Sequence, residues 1–176
     1  MTATEVRAVF LVGFMGSGKN TVGQELARRL SWNFSDLDAL IEARESQTIP
    51  EIFTQKGEPY FRAVENAALV DLVNFLTRNT VVALGGGSFV EESNRNLLRC
   101  WPSVFLDAPV SELWQRCLDH EAADGARRPL RGDQENFTRL HQARLPFYRQ
   151  ATLTVNTSDK SAAAICKEIE HGLQLS

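Results

Sequence analysis

Short apolar runs alternate with longer stretches of helical spacing from one end of the chain to the other. Residues 8–12 (AVFLV) form a β-type run that stops at Gly13, and residues 21–30 follow with Val22, Leu26 and Leu30 on one face and Gly23 and Ala27 beside them. Residues 32–38 (WNFSDLD) read as a strand running into acids. Residues 80–84 (TVVAL) read as a strand that ends in three glycines, and residues 103–106 and 152–155 complete five candidate strands. Helical patterns fill the intervals at 60–76, 93–99, 111–118, 136–144 and 162–173. A strand that alternates with a helix needs a crossover, so the pattern predicts an α/β fold with a parallel sheet covered on both faces. In such sheets ligands sit at the carboxyl ends of the strands. The Gly13 loop, the acids at 36 and 38 and the glycine triplet all fall there.

One segment does not fit this layering. Residues 119–134 (DHEAADGARRPLRGDQ) are polar, contain two glycines and a proline, and lack apolar periodicity. They read either as an exposed loop or as a lid that brings its arginines over a phosphate site.

The 176 residues, with no repeat or linker, are read as one domain. A net charge of -3 without a run of like charges predicts neither a nucleic-acid arm nor a membrane-surface patch. The longest apolar run is too short to span a bilayer, and the first residues lack the apolar core of a secretory signal. Cys100, Cys117 and Cys166 form no paired motif and predict reduced thiols in the cytoplasm. The three histidines are scattered, which argues against a structural zinc site. The expected molecule is a monomer.

Residues 13–19 (GFMGSGK) fit G-x-x-x-x-G-K between a strand and a helix, the loop that cradles the phosphates of a nucleoside triphosphate. Its glycines let backbone N–H groups approach an anion, and the helix that follows adds the positive end of its dipole. Lys19 supplies a mobile charge for the β- and γ-phosphates. The next position ordinarily holds Ser or Thr, whose hydroxyl ligates Mg²⁺. Here it is Asn20, which has an amide oxygen to offer instead, and Thr21 lies one residue too far round the helix to replace it.

The acceptor has to be read from other residues. Asp36 and Asp38, two apart at a strand end, can point to the same side, one toward hydrated Mg²⁺ and the other toward a hydroxyl; alternatively they are turn or cap residues. Arg62 opens an amphipathic helix whose apolar stripe is Phe61, Val64, Ala68, Leu72 and Phe75. It either pairs with Glu65 or forks onto a carboxylate ligand. Three successive glycines, Gly85, Gly86 and Gly87, forfeit stability unless backbone must approach something closely, a ligand or a tight turn. Arg127 and Arg128 lie in the polar segment, and Arg144 and Arg149 end the helix after it.

Taken in order, GFMGSGKNTVG, DLD, the FR of PYFRAVE, GGGS, RRPL and RLPFYR resemble shikimate kinase over nearly the whole chain. The resemblance implies a five-stranded parallel P-loop fold of the nucleoside-monophosphate-kinase type that transfers the γ-phosphoryl of ATP to the 3-hydroxyl of shikimate. By that resemblance Gly16, Ser17, Gly18, Lys19, Asn20 and Thr21 wrap the ATP phosphates, and Asn20 and Asp36 hold the metal. Asp38 bonds the shikimate hydroxyls and accepts the departing proton. Arg62 and Arg144 take the shikimate carboxylate, Gly86 and Gly87 contact the ring hydroxyls, and Phe53 and Phe61 wall the pocket. Arg128 swings in on the lid, while Arg116 and Lys160 lie on the adenine side. Lys19, Asp38 and Arg128 are thus the expected catalytic residues.

Two other readings share the phosphate loop. A kinase of another polyol acid, such as gluconate, would not need DLD, FR and GGG together. A non-catalytic nucleotide-binding homologue would tolerate Asn20 at the metal position.

Overall fold

The computed structural model describes residues 7–124 and 133–176. Five parallel strands, β1 (Ala8–Val12), β2 (Asn33–Asp36), β3 (Thr80–Ala83), β4 (Ser103–Asp107) and β5 (Leu153–Asn156), form one sheet in the order β2-β3-β1-β4-β5. The helices are α1 (Lys19–Leu30), α2 (Leu37–Glu45), α3 (Ile49–Lys56), α4 (Glu58–Asn74), α5 (Glu92–Leu97), α6 (Val110–Asp124), α7 (Gln134–Tyr148) and α8 (Ala162–Leu173), with a 3-10 turn at Ser88–Val90.

The period of two in β1 explains why both faces are covered. Phe10 and Val12 join Leu37, Ile41, Phe61, Leu69, Phe105, Phe137 and Tyr148 in one core. Val9 and Leu11 join Val22, Leu26, Leu106, Ile165 and Ile169 in another on the opposite face. Each fully buried Phe or Leu side chain contributes about 1.5–3 kcal/mol by leaving water. These two cores fix the central strand, and with it the loop that leaves its carboxyl end.

The five expected strands are all present, and the helix at 162–173 matches to the residue. Several local expectations change. The strand expected over 32–38 ends at Asp36, whose Oδ1 accepts from the backbone N–H of Asp38 at 3.0 Å and of Ala39 at 3.4 Å. Asp36 is therefore the N-cap of α2, and Asp38 lies in the first turn of that helix rather than on the strand. Two helices between 37 and 56 were not anticipated. The second announces itself in sequence, because Thr48 and Glu51 form a reciprocal capping box with Pro50 in the first turn. Phe75, expected on the apolar stripe of α4, is instead its C-cap and is 76% exposed. The lid expected from residue 119 begins as helix, since α6 runs on to Asp124. Residues 119–124 contain no glycine or proline to stop it. The rest of that segment up to residue 132, with Arg127 and Arg128, lies outside the described residues.

Candidate active site

The loop after β1 is shaped for an anion. Gly18 caps α1 in the left-handed region (φ 88°) with no side-chain cap, so the first N–H groups of the helix are not covered by a side chain of their own cap. Gly16 also has positive φ (79°), and a Cβ there would lie 2.8 Å from the Leu113 carbonyl oxygen of α6. No other residue fits at this point without moving backbone. Ser17 is buried within the loop. Lys19 Nζ donates to the carbonyls of Gly13 at 2.8 Å and Phe14 at 3.1 Å, folding back across the cradle. A phosphate would draw this amine away from two neutral acceptors toward a charged one.

At the start of α1 the two expected metal residues touch. Asn20 Nδ2 donates to Asp36 Oδ2 at 2.7 Å, while the other Asp36 oxygen caps α2. Thr21, next on the helix, is exposed. Both Asn20 and Asp36 carry oxygen donors, the chemistry a hard cation requires. Among the described residues no group of three or more His, Cys, Asp or Glu gathers around a common point. The donor set therefore suits a cation held mainly by water and phosphate oxygens, as Mg²⁺ prefers.

Beyond β3, the glycine triplet is enclosed by charged side chains. A Cβ on Gly85 would meet Asp38 Oδ1 at 2.7 Å and Glu65 Oε2 at 3.3 Å. On Gly86 it would lie 3.2 Å from Arg144 Nη1, and on Gly87 2.3 Å from Arg62 Nη2. Two guanidinium groups from two different helices thus converge on one dipeptide, with the Asp38 carboxylate against the residue before it. Gly86 is also the link to the phosphate loop, since its added Cβ would be 3.9 Å from the Gly13 carbonyl oxygen. The Arg144 guanidinium carbon lies 5.7 Å from the Phe14 ring centre, and that of Arg62 5.2 Å from the Phe61 ring. Phe61 in turn packs on Phe53 with ring centres 4.6 Å apart, an aromatic wall beside Arg62.

Arg62 is held by acids rather than solvated. Glu65, fully buried one turn along α4, pairs with it at 2.7 Å, and Glu58 and Glu91 stand at 3.6 and 3.8 Å. Burial opposes the arginine's charge, but these carboxylates outweigh it and raise its pKa above the usual arginine value. Its Nε is buried without a hydrogen-bond partner and faces Glu91 Oε1 at 3.8 Å. Glu65 also accepts from the Ser88 hydroxyl at 2.5 Å. Asn94, fully buried, donates to the Ser88 carbonyl at 2.9 Å and accepts from Asn66 at 2.8 Å. Sequence reasoning missed this polar backing of the glycine turn. Asn94 was hidden because only the fold brings α4 and α5 together.

Toward the β4–β5 flank of the sheet, Arg116 Nη1 donates to the Gly16 carbonyl at 3.3 Å and to Thr157 Oγ1 at 3.4 Å. It joins the phosphate loop to the segment after β5. Lys160, expected nearby, is engaged by Glu168 of α8 at 2.7 Å. The fold therefore brings Asp38, Arg62, Gly86, Gly87 and Arg144 together, and Gly16, Lys19 and Arg116 beside them. It does not bring Lys160 onto the same contacts.

The comparisons with known proteins agree with one another. A family model described as shikimate kinase matches residues 15–174. The shikimate kinase of Persephonella marina is 36% identical over 165 residues, covering 93% of this chain and 97% of that one. That of Geobacter metallireducens is 40% identical over 170 residues, covering 94% and 91%. Among solved structures, the shikimate kinase from Acinetobacter baumannii in complex with shikimate matches with a TM-score of 0.85 at 33% identity, covering 96% of this chain and 94% of that one.

Proposed function

This chain belongs to the shikimate kinase family, and on that premise we propose that it transfers the γ-phosphoryl group of ATP to the 3-hydroxyl of shikimate through the residues described above. The product is shikimate 3-phosphate, on the route to chorismate and the aromatic amino acids. The observation that carries the residue assignment is the convergence of Arg62 and Arg144 on Gly86 and Gly87, next to Asp38 and one step from Gly13. Two forks at one dipeptide suit a planar carboxylate, and the adjoining aspartate suits a hydroxyl.

In this reading Arg62 and Arg144 take the shikimate carboxylate, and the backbone of Gly86 and Gly87 meets the ring hydroxyls. Asp38 orients the 3-hydroxyl and accepts its proton as the oxygen attacks the γ-phosphorus. Lys19 leaves the Gly13 and Phe14 carbonyls to follow the charge on the transferred group. Arg116 borders the nucleotide beside Gly16, and Arg128 of the lid closes over the γ-phosphoryl. Mg²⁺, held by Asn20 and Asp36 with water, would neutralise phosphate charge. Phosphoryl transfer asks mainly for position and electrostatic stabilisation, which arginines and a lysine supply without covalent chemistry. Lys160 keeps the adenine-side role implied by its position in the sequence only if it leaves Glu168.

All three cysteines are thiols, two of them buried, as suits a reducing cytoplasm, and the protein acts as a monomer in this reading. A coupled ADP-release assay with shikimate, ATP and Mg²⁺ tests the proposal. Turnover with shikimate is the expected result. Nucleotide binding without turnover, or turnover only with another polyol acid, would overturn it. Light scattering tests the monomer.

A further inference from the structure

Tyr148 ends α7 one turn beyond Arg144 and is fully buried. Its ring lies against Phe105 of β4 with centres 5.3 Å apart, which fixes the ring and leaves only the hydroxyl to face the site. That hydroxyl donates to the carbonyl of Gly86, and Arg144 stands at the same glycine, its Nη1 3.2 Å and the Tyr148 hydroxyl 4.0 Å from where a Gly86 Cβ would lie. One buried oxygen thus holds the backbone of the glycine turn after β3 at the point where a guanidinium of α7 meets it. None of the roles assigned above uses it.

A buried tyrosine can satisfy its hydroxyl on any nearby carbonyl. The choice of Gly86 matters because the peptide group is planar. A carbonyl held from behind fixes the tilt of the peptide plane that follows it, and so the direction of the Gly87 N–H. The same oxygen borders Arg144 at Gly86 and narrows the space open to that long side chain, which would otherwise lose more entropy when it bound a carboxylate. Both groups would be preorganised by one atom.

We propose that Tyr148 is a positioning residue for acceptor binding, a relay that aligns the Gly86–Gly87 backbone and the Arg144 guanidinium so that carboxylate and hydroxyl are met at once. This rests on the acceptor reading given above. The relay needs the phenol to remain a donor. Burial, only partly offset by Arg144 and Arg62, pushes its pKa up to about 12, so it stays protonated over the working range.

The test compares the wild-type chain with Tyr148→Phe, which keeps the ring and removes the oxygen. Titration calorimetry measures affinity for shikimate and, separately, for ADP. Wild type should bind both, and Tyr148→Phe should lose about 10-fold in shikimate affinity, the scale of one buried acceptor left unpaired. ADP affinity should stay within about twofold, well inside one pKa-unit equivalent of free energy. Unchanged shikimate affinity in a folded Tyr148→Phe, or equal loss of both ligands, would overturn the relay. A wild-type chain that binds ADP but not shikimate would overturn the acceptor reading, and the relay with it.

Should Tyr148→Phe not fold, 3,5-difluorotyrosine placed at 148 serves instead. Fluorination lowers the phenol's pKa while keeping its shape. Shikimate affinity should then fall with rising pH as the hydroxyl ionises and stops donating, over a range where wild type is flat. A purely structural tyrosine would give two parallel profiles.

Discussion

Glu65 and Arg62 stand three residues apart on α4, paired at 2.7 Å, with the carboxylate fully buried and the guanidinium beneath Gly87. The acid sets the arginine's position, because Ser88 fixes the carboxylate from its other side at 2.5 Å. Glu65→Gln keeps the volume but weakens both contacts. It should weaken shikimate binding by about 10- to 100-fold and lower unfolding free energy by about 1–3 kcal/mol. ADP binding should survive. Arg62→Ala should show the same selectivity in calorimetry; equal loss of both ligands in either variant would remove Arg62 from the acceptor site.

Glycine replacements separate the two halves of the site. In Gly87→Ala the new methyl group meets the flexible end of Arg62, at 2.3 Å from Nη2, so the arginine yields and the fold is kept. Shikimate affinity should fall by about 10-fold or more, with a loss of melting temperature like that of Glu65→Gln, since the displaced guanidinium also leaves the buried Glu65. In Gly16→Ala the obstacle is the Leu113 carbonyl at 2.8 Å and the φ of 79°. That variant should lose ADP affinity and thermal stability together. A Gly87→Ala chain with intact shikimate binding would contradict this division.

Asn20→Ser tests the metal position. The serine hydroxyl is the usual ligand there, and the change also removes the amide that donates to Asp36 at 2.7 Å. The Mg²⁺ concentration for half-maximal activity should fall, and Mn²⁺ binding to the ADP complex, read by electron paramagnetic resonance, should tighten. Unchanged titrations would mean that Asn20 already ligates well or that the cation is held elsewhere.

His141 of α7 is buried against Phe14 of the phosphate loop, with ring centres 5.2 Å apart. Burial lowers its pKa from 6.5; Asp107 opposes the shift and Arg149 adds to it. The unfolded chain therefore binds more protons than the folded one between the folded-state value and 6.5, and stability rises with pH through that window. It is lost as pH drops below the unfolded value. Melting temperature should fall as pH drops below about 6.5, and His141→Phe should flatten part of that slope. Glu170, held low by Arg29, adds a loss that sets in only nearer the carboxylate range.

What could be read from the chain depended on how local the signal was. The β1 loop and α1 were legible because one short stretch carries both the apolar run and the glycines. Arg62 and Glu65 were legible as a pair, since i and i+3 share a helix face. Asp38 was misplaced because a cap at Asp36 outweighs the strand pattern of its neighbours. The α2 and α3 helices are short, and each buries only one or two residues, too few to set a period. Asn94 and Tyr148 stayed invisible for another reason. Their partners Ser88 and Gly86 lie on separate elements, and only tertiary packing makes them neighbours.

The strand order has a consequence for how such a protein can change. Asp38, Arg62 and the glycine turn all hang from the β2–β3 edge, whereas Arg116 and Thr157 belong to β4 and β5, with β1 as a hinge-pin between them. In the reading proposed above, acceptor preference and nucleotide handling are therefore written in different parts of the chain. A lineage can rework one flank while the other stays under its own selection. Helix α7 is the exception: it follows β4 in sequence yet delivers Arg144 and Tyr148 to Gly86, so drift there would be felt on both flanks.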